Sequence, residues 1–484
     1  MQVIYDDRAA TPAFVREISG AEHFGAVPRR RRTLGAIMAA TVEDAGLPPM
    51  IWWRSGERPA LDEHTEGMVL IIPAWCFPAE GVSLWGAILP MLARALGPLS
   101  VPVDGEGQVA AMHLLPKGVV VRYMDAGEKA SLEAILLKAR VQLEDVAGKW
   151  PLFDLRDHSS FMKLVTSNFD TRHFNSIDYE DEFTIVKRSK DVEKLRAEYD
   201  FHEHVPTSIR HYFVQPHGFA EDNNVASYKM ERLLFPDMAT QWIHGGLSVE
   251  DLRALMDRLS AYLGARPRRL VDRADGQALA DKMFLDKVRA RIAALKEQPK
   301  GAEVDAFLRV AHGGIDAVFE RYERLYLANK SRMACSELAF THGDLCFSNI
   351  LFDRKTRLVR FIDPRGVAEG GDGFGHPLYD LAKLSHSILG HYDFINNGLF
   401  GVVVSEDLAL ELVLDRVDPL SCHQSVFLAL LAREGWDVSV VRLAEASLFL
   451  SMLPLHMDLP RKVLALALRG IAILSELEAS GQLS

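Results

Sequence analysis

The sequence predicts an α+β chain built in three successive parts, and three observations predict it. Strand and helix patterns alternate up to about residue 160, a β-rich stretch follows to 235, and beyond 248 the apolar spacing is helical around one embedded hairpin. With 484 residues, 48% of them hydrophobic, the chain exceeds one average domain and has core material for two or three. The expected parts are an α/β domain over 1–160, a small lobe over 161–235 and a large helical lobe over 236–484.

In the first part, Met68-Val69-Leu70-Ile71-Ile72-Pro73 reads as a buried strand with a helix over 83–96 behind it. Residues 119–123 read as a second strand, and 129–144 as an amphipathic helix carrying Leu132, Ile135, Leu136 and Leu143. In the second part, 182–187 is β-rich, 192–201 helical with Val192, Leu195, Tyr199 and Phe201 roughly on one face, and 227–233 a further strand. In the third, Ser248 caps a helix carrying Leu252, Leu255, Met256, Leu259 and Leu263. Helical spacing recurs over 276–297, 302–329, 405–433 and 438–479.

Composition narrows the function. The net charge is −11 with no long basic stripe, which disfavours nucleic acid as a partner; the short run Arg29-Arg30-Arg31-Arg32 reads as a solvated surface or phosphate-contacting patch, with a membrane-surface anchor as the alternative. Cys76, Cys335, Cys346 and Cys422 have neither metal-ligand spacing nor a disulfide framework, as expected in a reducing cytoplasm. The N-terminus does not read as a signal peptide, and 68–99 is broken by Pro73, Pro78, Glu80, Pro90 and Arg94, so a cytoplasmic chain without a transmembrane segment is expected.

The most informative stretch is Thr341-His342-Gly343-Asp344-Leu345-Cys346-Phe347-Ser348-Asn349, followed by Val359-Arg360-Phe361-Ile362-Asp363-Pro364-Arg365-Gly366. Strands on either side of a turn at 354–357 would bring Asn349 and Asp363 to one end of a hairpin, beside the loop carrying Asp344. That order suits phosphoryl transfer from a magnesium nucleotide. One carboxylate takes the proton of an attacking hydroxyl, while an amide oxygen and a second carboxylate hold Mg²⁺, which accepts oxygen ligands and keeps several waters. His342 reads as a support for the loop, and Cys346 as a small buried filler.

His-Gly-Asp-x₄-Asn followed by Ile-Asp resembles the aminoglycoside phosphotransferase and choline kinase family, which has a bilobal protein-kinase-like fold. The resemblance implies Asp344 as catalytic base, Asn349 and Asp363 as Mg²⁺ ligands, and Asp380, in Pro377-Leu378-Tyr379-Asp380-Leu381-Ala382, as support for the catalytic loop. Ile362-Asp363-Pro364-Arg365-Gly366 further resembles phosphotransferase domains found with bacterial capsule and surface-polysaccharide genes. The first part loosely resembles sugar-nucleotidyltransferase domains, but Pro73-Ala74-Trp75-Cys76-Phe77-Pro78 stands where those need a Gly-rich nucleotide loop, so no chemistry is assigned there.

The resemblance also implies a nucleotide lobe. Lys187 stands for the phosphate-contacting lysine and Glu198 for its helical partner, with Glu193 and Glu203 as alternatives. No Gly-x-Gly-x-x-Gly precedes Lys187, and Asn175-Ser176 is the turn that would serve instead. Main-chain groups from Met230 to Arg232 would meet the adenine edge. Arg365 either holds an anionic group or braces its loop; Glu369, Asp372, His376 and His391 read as surface residues within reach of a polar acceptor. The expected activity is ATP- and Mg²⁺-dependent phosphorylation of a small-molecule hydroxyl, the acceptors implied by the resemblance being sugars or polyols of surface-polysaccharide synthesis. The alternatives are a catalytically silent nucleotide-binding module and an aminoglycoside-type antibiotic kinase.

Overall fold

A computed structural model of the protein describes all residues except 30–31, 62–66, 79–82, 104–109, 128–130, 147–149, 151, 167–174, 180–183, 234–235, 368–370, 405–409, 416–419 and 482–484. It forms two units, Met1–Ser167 with His244–Gly246, and Asn168–Ile243 with Leu247–Ser484. The expected boundary at 160 falls inside the helix His158–Thr166 of the first unit, whose Leu164 and Val165 belong to that unit's core.

The first unit is an α/β layer structure. Gln2–Asp6 pairs in parallel with Ile51–Trp53 and Met68–Pro73; Met68–Pro73 and Leu99–Val103 then flank Ala110–Pro116 antiparallel. Side chains alternate across a strand, so Leu70 and Ile72 enter one core with Trp85, Ile88 and Leu89, while Val69 and Ile71 enter the other. Burial on both faces explains why Met68–Pro73 reads as a continuous apolar run.

Residues 119–123 are not a strand: Lys117–Asp125 is a helix, and the strand is Ala110–Pro116 just before it. Valine costs up to about 0.7 kcal/mol against alanine in a helix. Burying such a side chain stabilises by roughly 1.5–3 kcal/mol, and Val119 and Val120 are buried against Ile4, Val69 and Ile71. The helix expected over 129–144 is confined to Leu132–Ala139, capped by Ser131 and ended by Arg140 at φ 54°.

The second unit begins with a four-stranded antiparallel sheet, ordered Asn175–Tyr179, Thr184–Ser189, Val225–Glu231, Pro216–Asp222. The helix Val192–His204, capped by Asp191, covers it through Leu195, against Ala226, Tyr228 and Met230. Asn175 and Ser176 are therefore strand residues, paired with Ser189 and Arg188, rather than a turn. Arg172, His173, Phe174, Glu182 and Phe183 lie outside the described residues, as do Arg30, Arg31 and Glu369.

The rest is helical. Ser248 and Asp251 close a capping box on Val249–Ala265. The 276–297 pattern is Arg273–Ala280, a π-helical turn Asp281–Asp286, and Lys287–Lys296. Gly313 and Gly314 divide 302–329 into Gly301–His312 and Ile315–Ala328. The helix expected from 405 begins only at Ser421; a hairpin of Phe400–Val404 and Leu410–Leu414 precedes it. Among the described residues one segment, Val438–His456, is long and apolar enough to cross a membrane, and 89% of its most apolar window is buried in the fold. It is the central helix of this core, packing with Leu378–Ile388 and Pro460–Ser480.

Candidate active site

Asp344 lies in the loop that follows the strand Glu337–Phe340. Gly343 has φ 77°, and a Cβ there would come within 2.7 Å of Arg365 Cβ, so the loop needs glycine. Asp380, fully buried at the start of Leu378–Ile388, accepts from Gly343 N at 2.9 Å and His342 N at 3.1 Å, and pairs with buried Arg266 at 2.8 Å. His342 is also fully buried; its Nε2 is 3.0 Å from the Ile362 carbonyl, while Nδ1 accepts from Asp344 N at 3.2 Å. Those roles define one neutral tautomer, and burial, though partly opposed by nearby carboxylates, lowers its pKa. Both expected loop supports thus act on the backbone around Asp344.

The segment Phe347–Asn349 is a single 3₁₀ turn, so Asn349 precedes rather than begins the strand Ile350–Asp353. Pairing of that strand with Leu358–Phe361, closed by Ile362 N donating to Asn349 O at 3.1 Å, puts Asn349 and Asp363 at one end. Asn349 Nδ2 donates to the Asp344 carbonyl at 2.8 Å, which leaves Oδ1 as the acceptor, engaged only by a long bond from Ser348 Oγ at 3.5 Å. Asp363 has φ 54°, in the left-handed region, and its side chain is 39% exposed. Gly366 follows at φ 86°, where a Cβ would meet the Ala197 backbone at 2.8 Å; Val367 N bonds Ala197 O there. The loop after Asp363 is thereby fastened to the helix bearing Glu198.

Lys187 lies within Thr184–Ser189 rather than at its end. Its buried Nζ is 2.6 Å from Glu198 Oε2 and 2.8 Å from Asp363 Oδ1, which selects Glu198 over Glu193 and Glu203. Burial alone would lower the Lys187 pKa, but Asp363, Tyr228 and Glu198 hold it above the ordinary lysine value. The ammonium therefore remains charged at neutral pH. Met230 is flanked by Ile185 and Pro216 on both sides, so its main-chain groups belong to the sheet; of the positions expected at the adenine edge, Arg232 is the one that has left it.

Two cations escaped the sequence reading. Lys383 Nζ lies 2.8 Å from Asp344 Oδ1, and Lys287 Nζ donates to the Tyr379 hydroxyl at 3.0 Å. A signal for the first was present: Lys383 follows Asp380 by three positions on a helix, hence on the same face. Arg365 is exposed and donates to the Tyr379 hydroxyl at 3.2 Å, while its backbone N bonds His342 O. His376 and His391 are buried rather than on the surface; His376 Nε2 meets the Met333 carbonyl at 2.9 Å. Asp372 is exposed and paired with Arg269. Cys346 is buried, and burial raises its thiol pKa strongly, which leaves it inert at neutral pH.

Asp344, Asn349, Asp363 and the clamped Lys187 are thus gathered at one hairpin end. Residues 163–393 match the family described as the phosphotransferase enzyme family. Among solved structures the chain is similar to aminoglycoside 2'-phosphotransferase-IIIa in its GDP complex, at 14% identity over 64% of this chain and 91% of the other, TM-score 0.40. It is similar also to a thermostable mutant of aminoglycoside phosphotransferase APH(4)-Ia, at 12% identity over 62% and 94%, TM-score 0.37. Spectinomycin phosphotransferase APH(9)-Ia with ADP and spectinomycin gives 12% identity over 65% and 91%, TM-score 0.38. No curated protein matches the sequence.

Proposed function

We propose that this chain transfers the γ-phosphate of Mg·ATP to a hydroxyl of a small molecule, a sugar or polyol. The observation that carries the reading is the convergence of Asp344, Asn349, Asp363 and Lys187, with Lys187 Nζ bridging Glu198 and Asp363 at 2.6 and 2.8 Å. Asp344 orients the acceptor hydroxyl and takes its proton as the oxygen bonds to the γ-phosphorus and the bond to the ADP oxygen breaks. Lys187 supplies positive charge to the phosphates, and Glu198 keeps it aimed.

The donor chemistry fits Mg²⁺. Asn349 Oδ1 and the half-exposed Asp363 carboxylate are hard oxygen donors on one side of the hairpin end. Among the described residues no cluster of three or more His, Cys, Asp or Glu offers a closed cage. Two protein ligands suit an ion that keeps waters and phosphate oxygens, and bound there it would neutralise phosphate charge. The resemblance of residues 362–366 to surface-polysaccharide phosphotransferases supports the sugar or polyol acceptor and a cytoplasmic setting.

The test is transfer of labelled γ-phosphate from Mg·ATP to a panel of sugars, polyols, amino alcohols and aminoglycosides, with Asp344→Asn in parallel. A labelled product that disappears in the variant is expected. Nucleotide binding without transfer to any acceptor or to water would favour a silent binding module, and preferential labelling of aminoglycosides would favour the antibiotic-kinase reading.

A further inference from the structure

Beside Asp344, on the helix Leu378–Ile388, Tyr379 is buried with two cations on its oxygen. Lys287 Nζ and Arg365 Nη1 both donate to it, at 3.0 and 3.2 Å, so the two charges lie within 6.2 Å of each other. Neither has a carboxylate partner among the described residues, although the chain as a whole carries a net charge of −11. Two like charges on one neutral phenol repel, and the arrangement lacks an anion. Both Tyr379 lone pairs receive donors, which leaves its own proton free to donate outward.

The surrounding scaffold is built to hold Lys287 there. The π-helical turn Asp281–Asp286 immediately precedes Lys287 and shifts the phase of the helix; such turns recur at functional sites. Tyr322 OH donates to the Phe284 carbonyl at 2.6 Å, Tyr326 OH reaches Asp281 at 2.9 Å, and Phe284 packs on Tyr379 with ring centroids 6.1 Å apart. Electrostatics agree: burial raises the Tyr379 pKa, yet Lys383, Lys287 and Arg365 together bring it below the ordinary phenol value. Burial, reinforced by Arg365 and Lys383, lowers that of Lys287.

Tyr379 and Lys383 are four residues apart and share a helix face, with Cβ atoms roughly 5–6 Å apart, so the residue carrying the two cations neighbours the one that pairs with Asp344. We propose that Lys287, Arg365 and the Tyr379 hydroxyl form an oxyanion subsite of the acceptor pocket, so that the molecule phosphorylated here carries a phosphate or carboxylate a few bonds from its reacting hydroxyl. This rests on the phosphotransferase reading and specifies its acceptor: a phosphorylated sugar or a hydroxy acid, not a polycation.

The first measurement is calorimetric titration of inorganic phosphate into the full chain saturated with Mg·AMP-PNP, so that the nucleotide site is filled. Binding on the order of millimolar is expected, weakened about tenfold or more by Lys287→Gln and by Arg365→Gln, retained by Lys287→Arg, with AMP-PNP affinity within about twofold throughout. Phosphate that ignores the saturated protein, or binds both Gln variants as well as the parent, overturns the subsite. Variants that weaken AMP-PNP instead assign the cations to the nucleotide and overturn it equally. The second measurement offers matched pairs to the labelled transfer reaction: glucose with glucose 6-phosphate, glycerol with glycerol 3-phosphate and glycerate. Preference for the phosphates or for the carboxylate supports the subsite and separates the two sources of oxyanion; equal or better labelling of neutral members overturns it. Failure to bind AMP-PNP at all would count against the phosphotransferase reading, and phosphate titration of the free chain would still decide the subsite.

Discussion

Lys383 Nζ lies 2.8 Å from Asp344 Oδ1, so the carboxylate proposed as base is held by an ammonium from the helix behind it. Burial works against the Lys383 charge, but Asp344 and Tyr379 keep its pKa above the ordinary lysine value. The pair fixes the Asp344 side chain while its backbone is fixed by His342 and Asp380. Lys383→Met is expected to lower kcat about 10- to 100-fold with the KM for Mg·ATP within about twofold, and Lys383→Arg to restore part of it. Steady-state kinetics on both variants check this; a shift in ATP KM with kcat unchanged would contradict a positioning role.

Asp344→Asn keeps the shape of the side chain and removes its capacity to take a proton. Turnover is expected to fall by about 10²–10⁴-fold while nucleotide affinity stays near that of the parent, read by transfer assay and calorimetry together. Retained turnover would assign the base elsewhere.

Asp363 and Lys187 meet at 2.8 Å, so a metal held as proposed would share one carboxylate with the lysine charge. Asp363→Asn should move the Mg²⁺ dependence of ATP binding to higher concentration, about tenfold or more, in a magnesium titration. Glu198→Gln should raise the KM for ATP several-fold without altering the Mg²⁺ midpoint, because it frees the lysine but leaves the ligands.

The buried pair Arg266–Asp380, at 2.8 Å, is structural and mechanistic together. Asp380→Ala strands a buried guanidinium and orphans the His342 and Gly343 N–H groups. A loss of about 3–5 kcal/mol in urea unfolding is expected, with activity reduced even where the protein remains folded.

His376 is buried, donates from Nε2 to Met333 O and accepts at Nδ1 from Leu378 N, and burial lowers its pKa from the ordinary 6.5 to about 4. The unfolded chain therefore binds a proton at higher pH than the folded one. Its contribution is complete above about pH 6.5 and is lost as the pH falls toward about 4, on the order of 3 kcal/mol across that window. His376→Gln should flatten this part of the stability profile, measured by denaturant unfolding from pH 4 to 8.

What the sequence disclosed and what it withheld follow from the range of the interactions. Asp344, Asn349 and Asp363 were legible because a loop, one turn and one hairpin connect them, so local spacing sets their geometry. Lys187 and Glu198 were legible for the same reason, a strand followed at once by a helix. Lys287 was not, because its partner Tyr379 is 92 positions away and a π-helical turn sets its direction. His376 and His391 looked like surface residues because burial is a tertiary property, and 119–123 looked like a strand because valines favour strands until a core claims them. The mixed sheet of the first unit was expected only as an α/β layer, since its pairing depends on contacts across the whole unit.

Asp363 carries a backbone conformation, φ 54°, that asparagine tolerates at least as well as aspartate and that most other side chains adopt at a cost. A single-nucleotide change converts an aspartate codon to an asparagine codon. Among substitutions at this position, the one that preserves the loop best is thus also the one that removes the carboxylate charge proposed to hold the metal. On the proposed function, a lineage carrying this domain would lose transfer in one mutational step without unfolding and repair it in one step as well, so the route from enzyme to silent binding protein would be short and reversible here, whereas at Gly343, where a Cβ collides with Arg365, there is no comparable route.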